Sequence, residues 1–139
     1  MKLNELIALI RKPEKIREAL YANSPAVLEF AFRDDPNVRA VIAAGRDALP
    51  VIEQELRSNG AKLHDISLSC LAYILSKIDV KEAARMLRPL FPKVAEQPGS
   101  IAAIFIARPL RLDRNLPVGA GELYFTPEQL RETLNSIKP

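Results

Sequence analysis

The stretch from Asp34 to Leu56, DDPNVRAVIAAGRDALPVIEQEL, leaves this chain few folds to choose from. Val38, Val41 and Ile42 on one side of Gly45, and Leu49, Ile52 and Leu56 on the other, recur at helical spacing. The sequence therefore predicts two short helices joined by a tight turn. Asp35 caps the first, with Pro36 behind it, and Asp47 caps the second. Pro50 lies early enough in that second helix to be tolerated, because first-turn amides have no intrahelical acceptor. Gly45 closes the first helix in the left-handed conformation that glycine adopts at little cost. A hairpin this small cannot bury both of its apolar stripes alone, so it must stack on neighbours of the same kind.

The most apolar long segment is Leu63 to Ile78, LHDISLSCLAYILSKI. Ile66, Cys70, Leu71, Ile74 and Ile78 form one stripe, and Leu68, Ala72 and Leu75 widen it, which places this helix centrally with neighbours on several sides. Before the hairpin, Leu3, Leu6, Ile7 and Ile10 define a helix ending near Lys12. Pro13 to Ala22 reads as a second helix that buries Ile16, Ala19 and Leu20. Ser24 and Pro25 open a third, which carries Val27, Leu28, Ala31 and Phe32 inward. After the central segment, Asp79 and Glu82 match a capping box for a helix facing Ala83, Leu87, Leu90, Phe91 and Val94 to the core, and Pro89 kinks or ends it. Ile101, Ile104 and Phe105 indicate a short helix that Pro109 stops. Between Leu110 and Phe125 no helical period is visible, and the alternations Leu110/Leu112 and Leu123/Phe125 around Pro117, Gly119 and Gly121 leave a small β-hairpin or a long loop open. Thr126, Pro127 and Gln129 then start a final helix with Leu130, Leu134 and Ile137 inside.

At 139 residues the chain makes one domain large enough to bury a core without staples. Its 20 basic and 17 acidic residues nearly cancel, which is not the lopsided balance of a dedicated nucleic-acid binder. With one cysteine, Cys70, and one histidine, His64, neither an intrachain disulfide nor a Cys/His zinc site can form. No apolar run spans a bilayer, and Asn4 and Glu5 interrupt what could have been a signal-peptide core, so the expected location is cytoplasmic with no membrane partner.

The pattern Asp35-x-x-Val38-Arg39, then Ala43-Ala44-Gly45, then Ala48-Leu49-Pro50 with Ile52 and Leu56 resembles the bacterial HEAT-like (armadillo-type) helical repeat. A degenerate second copy runs from Leu63 to Val94, and Pro13 to Phe32 is a weaker third. The resemblance covers residues 13–94 and leaves 98–139 as an atypical C-terminal segment. It implies an all-α stack of antiparallel helical hairpins, an α-solenoid, whose Asp and Arg at the turn order the junction between repeats and whose surfaces bind partners.

Candidate chemistry is sparse. The pairs Asp34/Asp35 and Glu53/Glu55 face different ways on a helix and read as caps and surface charges rather than acid and base. His64 beside Asp65 reads as a surface residue at a helix start, and Cys70 as an inert core thiol. Gly119-Ala120-Gly121 lacks the lysine and the third glycine of phosphate-binding loops and reads as a turn. Arg108, Arg111 and Arg114 form the one local basic cluster, with Arg85 and Arg88 as possible neighbours and Tyr124 as the one candidate for stacking on a base. Tyr21, Phe30 and Tyr73 would mark a protein-binding hot spot if two shared a groove, although core packing is the expectation for Phe30 and Tyr73. The sequence thus points to a non-enzymatic interaction module with a protein partner and no cofactor or metal. The alternative is nucleic-acid backbone binding through the arginine cluster.

Overall fold

A computed structural model describes residues 2–16, 24–97, 99–118 and 125–138, and within these the regular structure is entirely helical. The helices are α1 (Leu3–Ile10), α2 (Pro25–Asp34), α3 (Pro36–Ala43), α4 (Leu49–Asn59), α5 (Asp65–Ile78), α6 (Val80–Leu87), α7 (Phe91–Ala95), α8 (Ile101–Asp113) and α9 (Pro127–Ile137). None of them is long and apolar enough to cross a membrane.

Local signals set most of the starts. The Ser24 hydroxyl accepts the Val27 amide, and one carboxylate oxygen of Asp35 accepts the amides of Asn37 and Val38 at 2.8 and 3.0 Å. Thr126 and Gln129 exchange both bonds of a capping box. At Asp79 half of the expected box forms: its carboxylate accepts the Glu82 amide, but Glu82 turns to Arg85 instead of reaching back. Gly45 takes φ +62, the left-handed turn expected of it. Asp47 does not cap α4. Gly45–Ala48 winds as a 3-10 turn that runs directly into the helix, so no extended cap position exists for it to occupy.

The α5 helix is the centre of the molecule, as its apolar pattern predicts. It packs on α8 most extensively, then on α6 and α3, and it also meets α1 and α2. Every residue from Ser67 to Leu75 is buried. Its serines survive there because each hydroxyl donates to a carbonyl: Ser69 to Asp65 and Ser76 to Ala72 within the helix, and Ser67 to Arg11 at the end of α1. Phe32 of α2 closes one side, its ring centroid 5.7 Å from Tyr73 and 5.5 Å from Phe105 of α8.

Asp65 fixes how the two central helices meet. It opens α5, yet its carboxylate accepts the Ser100 hydroxyl at 2.8 Å and the amides of Ile101 and Ala102 at 3.0 and 3.2 Å, so it caps α8 from a different helix. The charge lies at the positive ends of both helices. Asp65→Ala strips three bonds from the N-terminus of α8 and should cost about 1–3 kcal/mol, read as a lower urea midpoint. Ser100→Ala, which removes only the hydroxyl, should cost less.

Several expectations are overturned. Pro109 does not stop its helix: α8 continues through it to Asp113. A mid-helix proline costs on the order of 3 kcal/mol, but here Pro109, Leu110 and Arg111 are all buried, and that burial offsets the lost backbone bond. The helix ends instead in a Schellman turn, with Asn115 at φ +57, the Leu116 amide on the Arg111 carbonyl at 2.8 Å and the Asn115 amide on Leu112. Residues 110–113 are therefore helix, and there is no strand among the described residues; the rest of the supposed hairpin, 119–124, lies outside them. Pro13–Lys15 forms a single 3-10 turn closed by the Ile16 amide on the Pro13 carbonyl, and the chain leaves Ile16 extended, so no helix runs on from Pro13 through Ile16. Residues 17–22 of that predicted helix also lie outside the described residues. Finally, Val27 and Phe30 face solvent, at 46% and 55% exposure, because Leu28 and Phe32 alone define the buried ridge of α2.

Candidate binding surface

The arginines that form a cluster in the sequence do not form one in space. Arg111 is buried, 1% exposed, although it lies near the C-terminal end of α8. Its guanidinium donates to the Pro117 carbonyl at 2.7 Å, to the Gln129 carbonyl at 2.9 Å and to the Thr133 hydroxyl at 3.0 Å. A further nitrogen pairs with Glu132 at 2.8 Å, and the group lies 5.3 Å from the Phe125 ring centroid. These partners belong to α9 and to the segment that precedes it, so Arg111 fastens the C-terminal helix to α8, and with four of its five N–H donors engaged and its side chain buried it is not presented to a phosphate.

The other candidates are dispersed. Arg88 donates to the Ile137 carbonyl at 2.6 Å and so holds the far end of α9. Arg85 is engaged by Glu53 at 2.8 Å and Glu82 at 2.6 Å, which raise its pKa, while Arg85 draws the Glu53 carboxyl below its ordinary value. Arg114 is exposed at the end of α8. Arg108, half-buried, points to a different face. Tyr124 and Tyr21 lie outside the described residues.

The carboxylate pairs are accounted for by structure. Asp35 is the α3 cap, and Asp34 sits on the surface near Arg33 and Arg39. Glu55, 5% exposed, receives a bidentate fork from Arg11 at 2.6 and 2.7 Å, tying α4 to the end of α1. His64 is exposed, and its Nδ1 accepts the Ile66 amide at the start of α5. Cys70 is wholly buried; desolvation, with Asp35 adding to it, pushes its thiol pKa well up, so it is a neutral thiol. No three of the described His, Cys, Asp and Glu side chains group as a metal site would require.

Two hollows remain. One, of about 440 Å³ between α1 and α4, is lined by Ile7, Pro50 and Val51 with Asn4, Gln54 and the paired Arg11 and Glu55. The second, about 190 Å³, lies where α2, α5 and α8 meet and contains Arg108. Its apolar lining is Phe105, Leu112 and Val80, and its polar groups are Glu29, Tyr73, Lys77 and Arg108 together with Ser76, whose hydroxyl is already given to the Ala72 carbonyl. Among the described residues, Glu29, Lys77, Arg108 and the Tyr73 hydroxyl make no hydrogen bond or ion pair. Lys77 rests 5.4 Å from the Tyr73 ring centroid, and Tyr73 is only 7% exposed. Burial, and to a lesser extent Glu29, raises the Tyr73 pKa, which keeps its hydroxyl protonated and able to donate.

Known proteins give no guide to this arrangement. No family model, curated protein or solved structure matches the chain. The hollow must therefore be read from its own chemistry. Sequence reasoning singled out Arg108 and Tyr73 but missed their convergence with Lys77 and Glu29, since nothing local in the sequence relates position 29 to 77 or 108. It also missed Asp65 as the cap of α8 and Glu55 as the partner of Arg11, for the same reason.

Proposed function

We propose that the protein is a non-enzymatic protein-interaction module, a small scaffold of HEAT-like stacked hairpins. What carries this reading is the α2/α5/α8 hollow, where converging polar groups are left without partners over an apolar floor; this is the composition expected of a recognition point. The stack is supported by the packing of α3 on α5 and of α4 on α6, so that first helix meets first helix and second meets second. α8 packs on α5 and α6, and in this reading it ends the stack. A cytoplasmic setting and the absence of a membrane partner go with this reading.

The nucleic-acid alternative loses most of its motive with the dispersal of the arginines. A duplex needs several cations tracking its backbone, whereas Arg111, Arg88 and Arg85 are committed to internal partners. Titration of fluorescent duplex DNA and RNA should give no saturable binding in the micromolar range at physiological salt. Micromolar binding that weakens steeply with salt, and that Arg108→Ala together with Arg114→Ala abolishes, would replace the interaction-module reading with the alternative.

A further inference from the structure

The hollow between α2, α5 and α8 has a chemistry specific enough to name what it takes. Pockets for drug-sized ligands run roughly 300–1,000 Å³. At about 190 Å³ this one admits a group the size of one or two side chains. Arg108 comes from α8, Lys77 from α5 and Glu29 from α2, so the charged groups approach from three separate helices. Two cations against one carboxylate leave a single net positive charge. Such a site suits one carboxylate and offers less to a multiply charged phosphate, which Glu29 would repel.

The rest of the lining argues in the same direction. The Tyr73 ring is buried, but its hydroxyl reaches solvent in the hollow and has no protein partner, so it is a donor that an incoming acceptor can engage. Phe105, Leu112 and Val80 supply an aliphatic and aromatic wall that a bare carboxylate would not use. Leu112 is 38% exposed and Phe30, next to Glu29 in α2, is 55% exposed with Arg33 4.4 Å over its ring. Apolar surface therefore continues on the helices that border the hollow.

Resting on the interaction-module reading, we propose that this hollow anchors a segment of a partner protein in which an Asp or Glu lies next to a Leu, Ile or Val. Arg108, Lys77 and the Tyr73 hydroxyl take the carboxylate. Leu112, Val80 and Phe105 take the aliphatic side chain, and Glu29 accepts a backbone N–H of the segment.

The test is selection of a phage-displayed random peptide library on the intact chain, followed by affinity measurement of the enriched peptides on Arg108→Glu, Lys77→Glu and Arg114→Glu variants whose circular dichroism matches the parent. Enriched peptides should pair an acidic with an aliphatic residue. Their affinity should fall by about tenfold or more on Arg108→Glu or Lys77→Glu, and stay within about twofold on Arg114→Glu, which lies outside the hollow. Two charge-reversal sites are included so that one poorly folding variant leaves the other to decide. Failure to enrich peptides, enrichment without acidic residues, or equal binding to both hollow variants would overturn the proposal. A protein partner that binds the parent and both hollow variants equally would overturn it while leaving the interaction-module reading intact.

Discussion

Leu71→Ala should lower the unfolding free energy by about 2–5 kcal/mol, among the largest effects of any single truncation in this chain. Leu71 is 1% exposed in the middle of α5, between Cys70 and Ala72, which are both fully buried. Because α8, α6, α3, α2 and α1 all contact α5, little can collapse into the space that the leucine leaves. The expected cost is therefore the transfer term plus most of the cavity term. Chemical denaturation monitored by circular dichroism measures it, and a loss below about 1 kcal/mol would mean that α5 is not the packed centre.

Arg111→Ala should be similarly damaging, at about 2–4 kcal/mol, for a different reason. The substitution removes every bond from the guanidinium to Pro117, Gln129, Thr133 and Glu132, and it opens space beside Phe125. Glu132 is half exposed and can return to water, so the loss is of backbone and hydroxyl bonds more than of an ion pair. Arg111→Lys should recover only part of it, because a single ammonium cannot reproduce a planar fork that reaches both Pro117 and three residues of α9. The diagnostic readout is hydrogen exchange. Amides of α9 should lose protection before those of α5, whereas uniform loss would show that α9 is not held separately by this residue.

These two residues mark the limits of what the sequence discloses. The central position of α5 was legible because its apolar residues surround the helix axis, and the starts at Ser24, Asp35, Asp79 and Thr126 were legible because a cap acts on amides two or three residues away. Each of those signals is local. Pro109 misled because its cost is local and its compensation, burial of α8 against α5 and α6, is not. Asp47 misled because a tight turn at Gly45 removed the extended position a cap requires. Arg111 looked like surface charge because its partners on and around α9 are polar residues and backbone carbonyls, which show no apolar pattern. Phe30, off the main stripe of its helix, was still expected in the core, but with Leu28 and Phe32 on the buried ridge the 100° step per residue turns it outward.

The same limit applies to the candidate site. Arg108 was visible as part of a basic run, but its separation from Arg111 and its meeting with Lys77, Tyr73 and Glu29 are products of tertiary packing. The hollow draws its residues from three helices distant in the chain, and periodicity has no way to relate them.

The interaction-module reading is tested most directly by affinity capture from nuclease-treated lysate of the source cell, followed by calorimetric titration of the purified candidate partner. The account predicts one protein recovered in a fixed stoichiometric ratio, unaffected by nuclease, and binding the isolated chain in solution. Recovery of no stoichiometric protein, or of material that disappears with nuclease treatment, would contradict it.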